Sequence, residues 1–144
     1  RRIMICASED VGNADPNAIV VATACAQAVE RIGMPEAQII LSQAATYVAC
    51  APKSNSAVNA IFAAMDAVKH EDTGSVPVYL RDAHYGGAAK LGHTGYKYAH
   101  DYPNHYVDQQ YLPDNIAGRV FYEPSDNGYE KNIQDYFRKI KNID

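Results

Sequence analysis

The chain has 144 residues, 47% of them hydrophobic and 21% charged, which suffices for one domain with a buried core. Its net charge of −4 and pI of about 5.7 argue against strong, autonomous nucleic-acid binding, which usually needs a basic face. No apolar run reaches the roughly 18 residues of a membrane span and no signal peptide is visible, so we expect a cytoplasmic protein without a membrane partner.

The first half of the chain has the pattern of four helices separated by Gly and Pro, expected at about 1–9, 16–32, 35–51 and 55–70. Asp15-Pro16 is a strong start signal, because a carboxylate caps a helix and Pro fits its first position. Pro52 forbids continuation of the third helix. Ser54 or Asn55 is the expected cap of the fourth. Since no Met and no N-cap precede the first helix, we expect a piece of a longer protein.

Three of these helices are apolar around most of their circumference, in the segments 18–22, 39–45 and 60–65. A surface helix shows only one apolar stripe, so these helices need cover on several sides. Burial against another subunit is the simplest explanation, and packing on one another and under the second half of the chain is the alternative. We therefore expect self-association.

The second half, about 73–124, is broken by Gly and Pro and has no long periodic element. Six of the 11 Tyr residues lie between Tyr85 and Tyr111, which is not the composition of a disordered linker. We predict an ordered arm that lies over the helices, with buried tyrosine rings and solvated hydroxyls. Short elements are expected at 78–83, as a helical turn or a strand, at 88–91, as a turn, and at 119–122, as a strand.

Ser125 or Asp126 is the expected start of a last helix, with its apolar face formed by Ile133, Tyr136 or Phe137, and Ile140. The predicted fold class is mainly α: a helical bundle with a Tyr/Pro/Gly-rich irregular arm and a C-terminal helix. We expect one domain, with a helical core at about 1–72, the arm at about 73–124 and the terminal helix at about 125–144.

The candidate catalytic motifs are weak. Residues 86–90, GGAAK, lack the Ser or Thr that a phosphate-binding loop places after its Lys. The His and Asp residues of the arm match no known metal-ligand spacing: His93, His100, Asp101, His105 and Asp108. Cys6, Cys25 and Cys50 form no CxxC pair and are expected to be reduced core thiols. We predict no catalytic, cofactor or metal site in this chain.

One segment of the arm interleaves a cation with aromatic rings, a pattern that stacks on unpaired bases while Lys meets phosphate. The basic residues Arg138, Lys139 and Lys141 could add backbone contacts. The alternative is that the tyrosines dock on the helical core and Lys97 is solvated. The candidate binding residues are Tyr96, Lys97, Tyr98, His100, Tyr102, Tyr106, Gln109, Gln110 and Tyr111.

Several strings resemble the C-terminal region of the replication-associated recombination protein A (RarA/MgsA) family of AAA+ ATPases, to which the Werner-helicase-interacting ATPase is related. They are ASEDVGNADP at 7–16, AVERIGMPEA at 28–37, ACAPKSN at 49–55, GYKYAHDYP at 95–103 and YVDQQYLP at 106–113. The resemblance covers residues 3 to about 124, and the tail from Ser125 matches less well.

The resemblance implies that this region is a clamp-loader-like collar that assembles the protein as a homotetramer. It implies a bacterial, nucleoid-associated protein that acts at stalled replication forks, with DNA and the single-stranded DNA-binding protein as partners. The ATPase core, with its ATP and Mg, would lie outside these residues, because the family's Walker motifs have no counterpart here. The chain alone is therefore expected to be no enzyme, and the alternative role is a nucleic-acid or protein-binding module that uses the Tyr-rich arm.

Overall fold

The computed structural model describes residues 1–141, and the part of the predicted terminal helix beyond 141 lies outside the described residues. Residues 1–141 contain five α-helices and no strand. The helices are α1 (Arg2–Cys6), α2 (Asn17–Ile32), α3 (Ala37–Cys50), α4 (Ser56–His70) and α5 (Glu130–Lys141). The prediction of a mainly α fold is confirmed.

The chain forms two compact units. One contains Arg1–Phe62 together with the chain from Phe121 onward, and the other contains Ala63–Val120. The boundary between them falls inside α4, at Phe62 and Ala63. The expected organisation as one domain stays a prediction.

The chain reverses direction at Gly12, after α1 has continued into a wide helical turn, Ala7–Val11. Gly12 has φ 52°, and a Cβ there would lie 2.8 Å from the carbonyl oxygen of Ser54. The Ser54 amide donates a 2.8 Å hydrogen bond to the Asp10 carbonyl oxygen. Glycine is required here because the segment before α4 passes directly over this turn.

Asp15 ties the start of α2 to α3. Its Oδ1 accepts a 3.0 Å hydrogen bond from the Asn17 amide, which confirms the predicted cap. Its Oδ2 accepts a 2.8 Å hydrogen bond from the hydroxyl of Tyr47 on α3. This hydrogen bond to a carboxylate raises the pKa of Tyr47, because ionisation would place a second negative charge beside Asp15.

Helices α2 and α3 form the closest helix pair of the first unit. Their buried residues recur every three, four or seven positions: Ala18, Ala22 and Cys25 on α2, and Ala37, Ala44 and Val48 on α3. This spacing places each set on one helical face. Small side chains on both faces let the two helix axes approach closely.

Lys53 closes the end of α3. Its ammonium donates hydrogen bonds to the carbonyl oxygens of Val48 at 3.0 Å and Ala49 at 3.1 Å, and also to that of Ala51. These carbonyls have no partner within the helix, so a cation is favourable at this position. The fourth helix then begins at Ser56, beside the caps that the sequence predicted, and ends at His70 as expected.

The second unit contains the end of α4, from Ala63, followed by short 3₁₀ turns: Val78–Leu80, Ala88–Leu91, Ala99–Asp101, Pro103–His105 and Asp114–Ile116. Side chains join distant parts of this unit. The Tyr79 hydroxyl donates a 2.6 Å hydrogen bond to the Gln110 carbonyl oxygen. Arg119 Nη2 donates to both carboxylate oxygens of Glu71, at 2.6 and 2.8 Å. Of the two alternatives predicted for 78–83, the helical turn is the one found, and it spans only Val78–Leu80. The predicted turn at 88–91 is confirmed.

The predicted strand at 119–122 is wrong. Residues 119–122 form no strand, because the described chain offers no second strand to pair with. The predicted start of the last helix is also wrong, since α5 begins at Glu130. Gly128 has φ 54°, and the Tyr129 amide bonds the Ala14 carbonyl oxygen at 2.7 Å. These contacts hold 126–129 in a turn.

The cysteine prediction is partly wrong. All three thiols are free, but Cys25 alone is buried, Cys6 is half-buried and Cys50 is exposed at the end of α3. Cys6 donates toward Asp10, and this hydrogen bond, together with burial, raises the pKa of the Cys6 thiol. The half-buried Cys6 therefore lacks the lowered pKa of a reactive cysteine.

Candidate assembly surface and aromatic arm

The core of the first unit is made of small side chains. Its two largest fully buried residues are Val11 and a charged residue, Glu130. The buried apolar positions of this unit are Ala7, Val11, Ala14, Ala18, Ala22, Cys25, Ala37, Ala44, Val48 and Ala51. Burial of alanine removes little apolar area from water, so this core supplies a modest share of the possible hydrophobic stabilisation.

The large apolar side chains of the same unit lie at its surface. Val20 on α2 is 62% exposed and Ile39 on α3 is 69% exposed. The full exposed set of the first unit is Ile19, Val20, Ile32, Met34, Ile39, Leu41, Tyr47, Ile61 and Phe62, with Tyr129, Tyr136 and Phe137 near and on α5. Single exposed apolar residues are ordinary, but a concentration of this kind is typical of an interaction surface.

The helices that carry this surface also lack charge. Residues 16–29, 37–52 and 54–65 contain no Asp, Glu, Lys or Arg. An exposed helix normally carries charged residues on its solvent face. Interfaces, by contrast, are depleted of charged residues at their centre. The composition of α2, α3 and the first part of α4 therefore matches an interface better than a solvated surface.

An apolar groove of about 550 Å³ opens on the first unit. Met4 and Ile5 of α1 and Ile19 of α2 form one side, and α4 forms the other side with Val58, Ile61 and Phe62. Ser8 and Glu9 supply its polar rim. Among its lining residues, Glu9 is the one with a charged side chain.

A second, smaller groove of about 330 Å³ runs between α2 and α3. Its lining is dominated by small side chains, including Ala24, Ala28 and Ala44, with Ile40 and Gln43 on α3. The first unit thus presents two apolar depressions on different helix pairs.

The buried carboxylate of Glu130 is the most strongly hydrogen-bonded side chain of the first unit. Its Oε2 accepts from the Ser54 hydroxyl at 2.6 Å, the Ser125 amide at 2.7 Å and the Ser56 hydroxyl at 3.3 Å. Its Oε1 accepts from the Tyr122 hydroxyl at 2.9 Å. The carboxylate joins α5 to the segment that precedes α4.

Burial raises the pKa of Glu130, but the hydrogen bonds from Ser125, Ser54 and Tyr122 outweigh it and lower the pKa below 4.5. Burial of the Tyr122 hydroxyl and the neighbouring Glu130 carboxylate raise the pKa of Tyr122. The hydrogen bond from Asn13 acts in the opposite direction but is outweighed. Sequence reasoning missed Glu130. The available signal was an acidic residue at a helix start, but its serine partners lie far away in the chain.

The predicted binding residues lie in the second unit, and several of them meet. The Lys97 amide donates to Gln109 Oε1 at 2.9 Å, and the Lys97 ammonium donates to the Asp108 carbonyl oxygen at 3.3 Å. Gln110 Nε2 donates to Asp114 Oδ1 at 2.7 Å and to the Leu112 carbonyl oxygen at 3.0 Å. The segment around Lys97 is thus held beside the segment around Gln109.

Tyr98, His100 and His105 form a cluster of aromatic rings that contact one another at interplanar angles of 46° and 50°, here called the ring cluster. The ring centroids of Tyr98 and His100 are 5.0 Å apart, and those of His100 and His105 are 4.9 Å apart. Asn104 and His105 have φ of 56° and 53°, which turns the chain so that His105 returns toward His100. The ring cluster brings together two of the candidate binding residues, Tyr98 and His100, and one residue outside that candidate set, His105.

The prediction of buried tyrosine rings in the arm is wrong for five of them: Tyr85, Tyr96, Tyr98, Tyr102 and Tyr111 are exposed. Tyr106 is half-buried, as is Tyr79, whose hydroxyl bonds the Gln110 carbonyl oxygen. The arm is held by turns and polar hydrogen bonds, so its rings need not be buried for it to be ordered.

The remaining histidines of the arm form a separate group. His93 Nδ1 lies 3.1 Å from the Tyr85 hydroxyl and 3.0 Å from the Asp82 carbonyl oxygen. Hydrogen bonds from the His84 amide and ring lower the pKa of Asp82. Within residues 1–141, no three His, Cys, Asp or Glu side chains are close enough to ligate one metal ion. None of the helices described there could span a bilayer.

Comparison with known proteins gives a family and close relatives. The family model for the MgsA AAA+ ATPase C terminal matches residues 1–141. An uncharacterized AAA domain-containing protein of Mycobacterium tuberculosis is 49% identical over 144 residues, which cover 99% of this chain and 32% of that protein. Replication-associated recombination protein A of Bacillus subtilis is 41% identical over 142 residues, 97% of this chain and 34% of that protein.

A more distant relative is the ATPase WRNIP1 of Dictyostelium discoideum, 36% identical over 125 residues, which cover 85% of this chain and 14% of that protein. The chain spans about a third of the length of the two bacterial relatives.

Proposed function

This chain belongs to the MgsA AAA+ ATPase C-terminal family, and we propose that it is the region through which a replication-associated ATPase assembles, most simply as a homotetramer. The main support for this proposal is the distribution of apolar side chains in the first unit, which is the reverse of that in an ordinary hydrophobic core. Alanine fills its core, while its large apolar side chains lie at the surface of uncharged helices. Assembly gives those side chains the cover that the single chain lacks.

Magnitudes favour a broad interface over a single contact. Full burial of an Ile or Phe side chain contributes about 1.5–3 kcal/mol, so a half-exposed one contributes roughly 1 kcal/mol. Association costs at least about 4 kcal/mol in translational and rotational freedom. A stable contact must therefore bury several of the exposed side chains at once. The two apolar surfaces on each chain supply enough such side chains.

Light scattering after size exclusion, over a dilution series, tests this proposal. The mass of one chain is 15.8 kDa, and we expect four times that value, unchanged by tenfold dilution. A monomer at all concentrations would refute self-assembly of this chain.

The chain has no catalytic role in this proposal, and ATP with Mg binds in the ATPase core of the parent protein. We place that parent in the bacterial cytoplasm at the nucleoid, acting on DNA beside the single-stranded DNA-binding protein. Support comes from relatives named as AAA domain-containing and replication-associated recombination proteins. Calorimetric titration of the chain with Mg-ATP is expected to give no binding heat, and a saturable heat would contradict this assignment.

A second candidate function, binding of unpaired nucleic acid, is favoured by the ring cluster. Tyr98 is 55% exposed, and its ring contacts the tilted ring of His100, while Lys97 precedes it in the chain. A base could stack on the exposed ring of Tyr98, since base–aromatic stacking does not depend on sequence. The net charge of −4 limits this candidate to weak binding.

Fluorescence anisotropy with a labelled oligothymidylate at 50 mM and 200 mM salt tests the second candidate. Tyr98→Ala should weaken binding about 5- to 150-fold, because a stacked base contributes about 1–3 kcal/mol. Tyr129→Ala, which removes a similarly exposed ring from the first unit, is the matched control. It should bind the oligothymidylate as tightly as the wild-type chain does. Equal binding by both variants would exclude the ring cluster as the site.

A further inference from the structure

A polar cavity of about 290 Å³ lies in the second unit, lined by the segment 74–79, by Arg81 and by the neighbouring residues Asp114 and Asn115. It shares no lining residue with the two apolar grooves or with the ring cluster. Its volume is at the lower end of the range for small-molecule sites, so it suits a ligand about the size of one planar ring system.

Two opposite charges line this cavity without pairing. Within residues 1–141, Arg81 and Asp114 form no ion pair with each other. Each is oriented by another partner instead. Arg81 Nε donates a 2.9 Å hydrogen bond to the Val76 carbonyl oxygen, and Asp114 Oδ1 accepts a 2.7 Å hydrogen bond from Gln110 Nε2. The cavity therefore offers a hydrogen-bond donor and an acceptor that are separated in advance.

Asn115 adds a second acceptor. Its Nδ2 donates a 3.0 Å hydrogen bond to the Asp72 carbonyl oxygen, which orients the amide. Gly74, with φ 76°, permits this approach, because a Cβ there would lie 3.3 Å from the Asn115 amide carbon. In the part of the chain that the structure describes, no hydrogen bond involves the Nη atoms of Arg81, Oδ2 of Asp114 or Oδ1 of Asn115.

The charges restrict the chemistry of the ligand. A strong anion would be repelled by Asp114 and a strong cation by Arg81, so a neutral ligand with both donors and acceptors fits best. The apolar side chains of Val76 and Pro77 and the ring of Tyr79 also line the cavity, and they favour a flat, partly apolar molecule.

Guanine has this combination of groups. Its O6 and N7 are adjacent acceptors, which a guanidinium contacts with two N–H groups. Its N1–H and N2 amino group are adjacent donors, and an ionised carboxylate and an amide oxygen only accept. Adenine and cytosine have no ring N–H on this edge, and thymine has one N–H but no amino group.

We propose that this cavity receives one guanine base of an unpaired strand. Arg81 donates to O6 and N7, while Asp114 Oδ2 and Asn115 Oδ1 accept from the N1–H and the N2 amino group. The inference rests on the second candidate function above, binding of unpaired nucleic acid, and adds the base that is read. Unpaired bases are commonly read in this way, through hydrogen bonds to their edges.

The test compares labelled oligothymidylates that carry one central guanine, adenine or hypoxanthine, by fluorescence anisotropy at low salt. We expect the guanine strand to bind about 5-fold more tightly than the adenine strand. This is the lower end of the discrimination that one bidentate contact supplies, because Arg81, Asp114 and Asn115 are all exposed to water. Hypoxanthine lacks the N2 amino group, so its strand should bind with an intermediate affinity. These comparisons use the wild-type chain and do not depend on the folding of any variant.

Asp114→Asn should abolish the preference for guanine. An Asn at this position keeps its oxygen on Gln110 and turns an N–H group toward the N–H groups of the base. Asp66→Asn is the matched control, because it also neutralises one exposed carboxylate of the second unit but lies outside the cavity. It should keep the full preference. Circular dichroism at 222 nm checks that both variants retain their helices.

The outcomes separate this inference from the second candidate function. Equal affinity for the guanine and adenine strands, or a preference that survives Asp114→Asn, overturns the guanine site and leaves binding of unpaired strands standing. No binding of any strand overturns both. Unlabelled deoxyguanosine monophosphate is the competitor that tests the source of the base. Displacement by this nucleotide at lower concentrations than by the unlabelled guanine strand would show a site for free nucleotides and overturn the assignment to a strand.

Discussion

Replacement of the buried carboxylate of Glu130 should weaken the junction between α5 and the segment before α4. Four donors meet this carboxylate: the hydroxyls of Ser54, Ser56 and Tyr122 and the amide of Ser125. Glu130→Gln keeps the shape but removes the charge and one acceptor. Since a hydrogen bond to a charged group contributes about 1.5–3 kcal/mol, we expect a loss of about 2 kcal/mol in the free energy of unfolding.

Glu130→Ala should cost more, because it leaves all four donors without their acceptor in a buried site. A loss of about 4 kcal/mol follows from the desolvation of donors that no longer have a partner. The difference between the two variants separates the effect of the charge from the effect of the missing acceptors.

The pH dependence has a defined sign. The pKa of Glu130 in the folded chain lies below its ordinary value of 4.5, so the folded state favours the ionised carboxylate. Its contribution is fully present above pH 4.5 and is lost as the pH falls through the folded-state pKa. The stability difference between wild type and Glu130→Gln should therefore be constant near neutral pH and shrink in acid.

Urea unfolding followed by circular dichroism at 222 nm measures these values, at one fixed protein concentration because assembly adds to apparent stability. Glu123→Gln is the matched control: Glu123 is exposed in the same unit, and its change should stay within about 0.5 kcal/mol. An unfolding midpoint of Glu130→Gln equal to that of the control would refute the reasoning.

Three further predictions concern local contacts and are read from the same urea transitions. Gly128→Ala should destabilise the fold by more than about 1 kcal/mol, because Gly128 has φ 54° and a Cβ there would clash with the Ala14 carbonyl oxygen. An unchanged urea midpoint would contradict this close approach. Lys53→Met, which keeps the apolar stem, should cost about 1 kcal/mol through loss of the α3 carbonyl contacts. Asp15→Ala should cost about 1 kcal/mol by removal of the α2 cap, and Asp15→Asn, which still caps, should recover most of it.

The helices were predictable where their signals are local. The cap at Asp15, the stop at Pro52 and the end of α4 at His70 depend on residues within one or two turns of the boundary. The last helix was placed too early because Ser125 looks like a cap but belongs to a turn. That turn is set by Gly128 and its contact with Ala14, which is distant in the chain.

In the arm, by contrast, the sequence predicted the general character of the segment but not the exposure or contacts of its side chains. Its composition correctly indicated order without a long helix, whereas the contact between the rings of Tyr98 and His100 was not predicted. Ring exposure was not predictable, because a tyrosine is stable both in a core and at a wet surface. The addition of His105 to the ring cluster depends on two residues with positive φ, which no sequence periodicity indicates.

The sequence by itself determined the helix content, the family and the abundance of uncharged apolar helices, because capping, periodicity and composition act over a few residues. Only the tertiary structure decided which side chains those helices bury. Alanines meet between α2 and α3, so the bulky residues Val20 and Ile39 remain outside. It also placed Glu130 against serines more than 70 positions away. Burial depends on which helix faces meet, and that is a property of contacts between residues far apart in the chain.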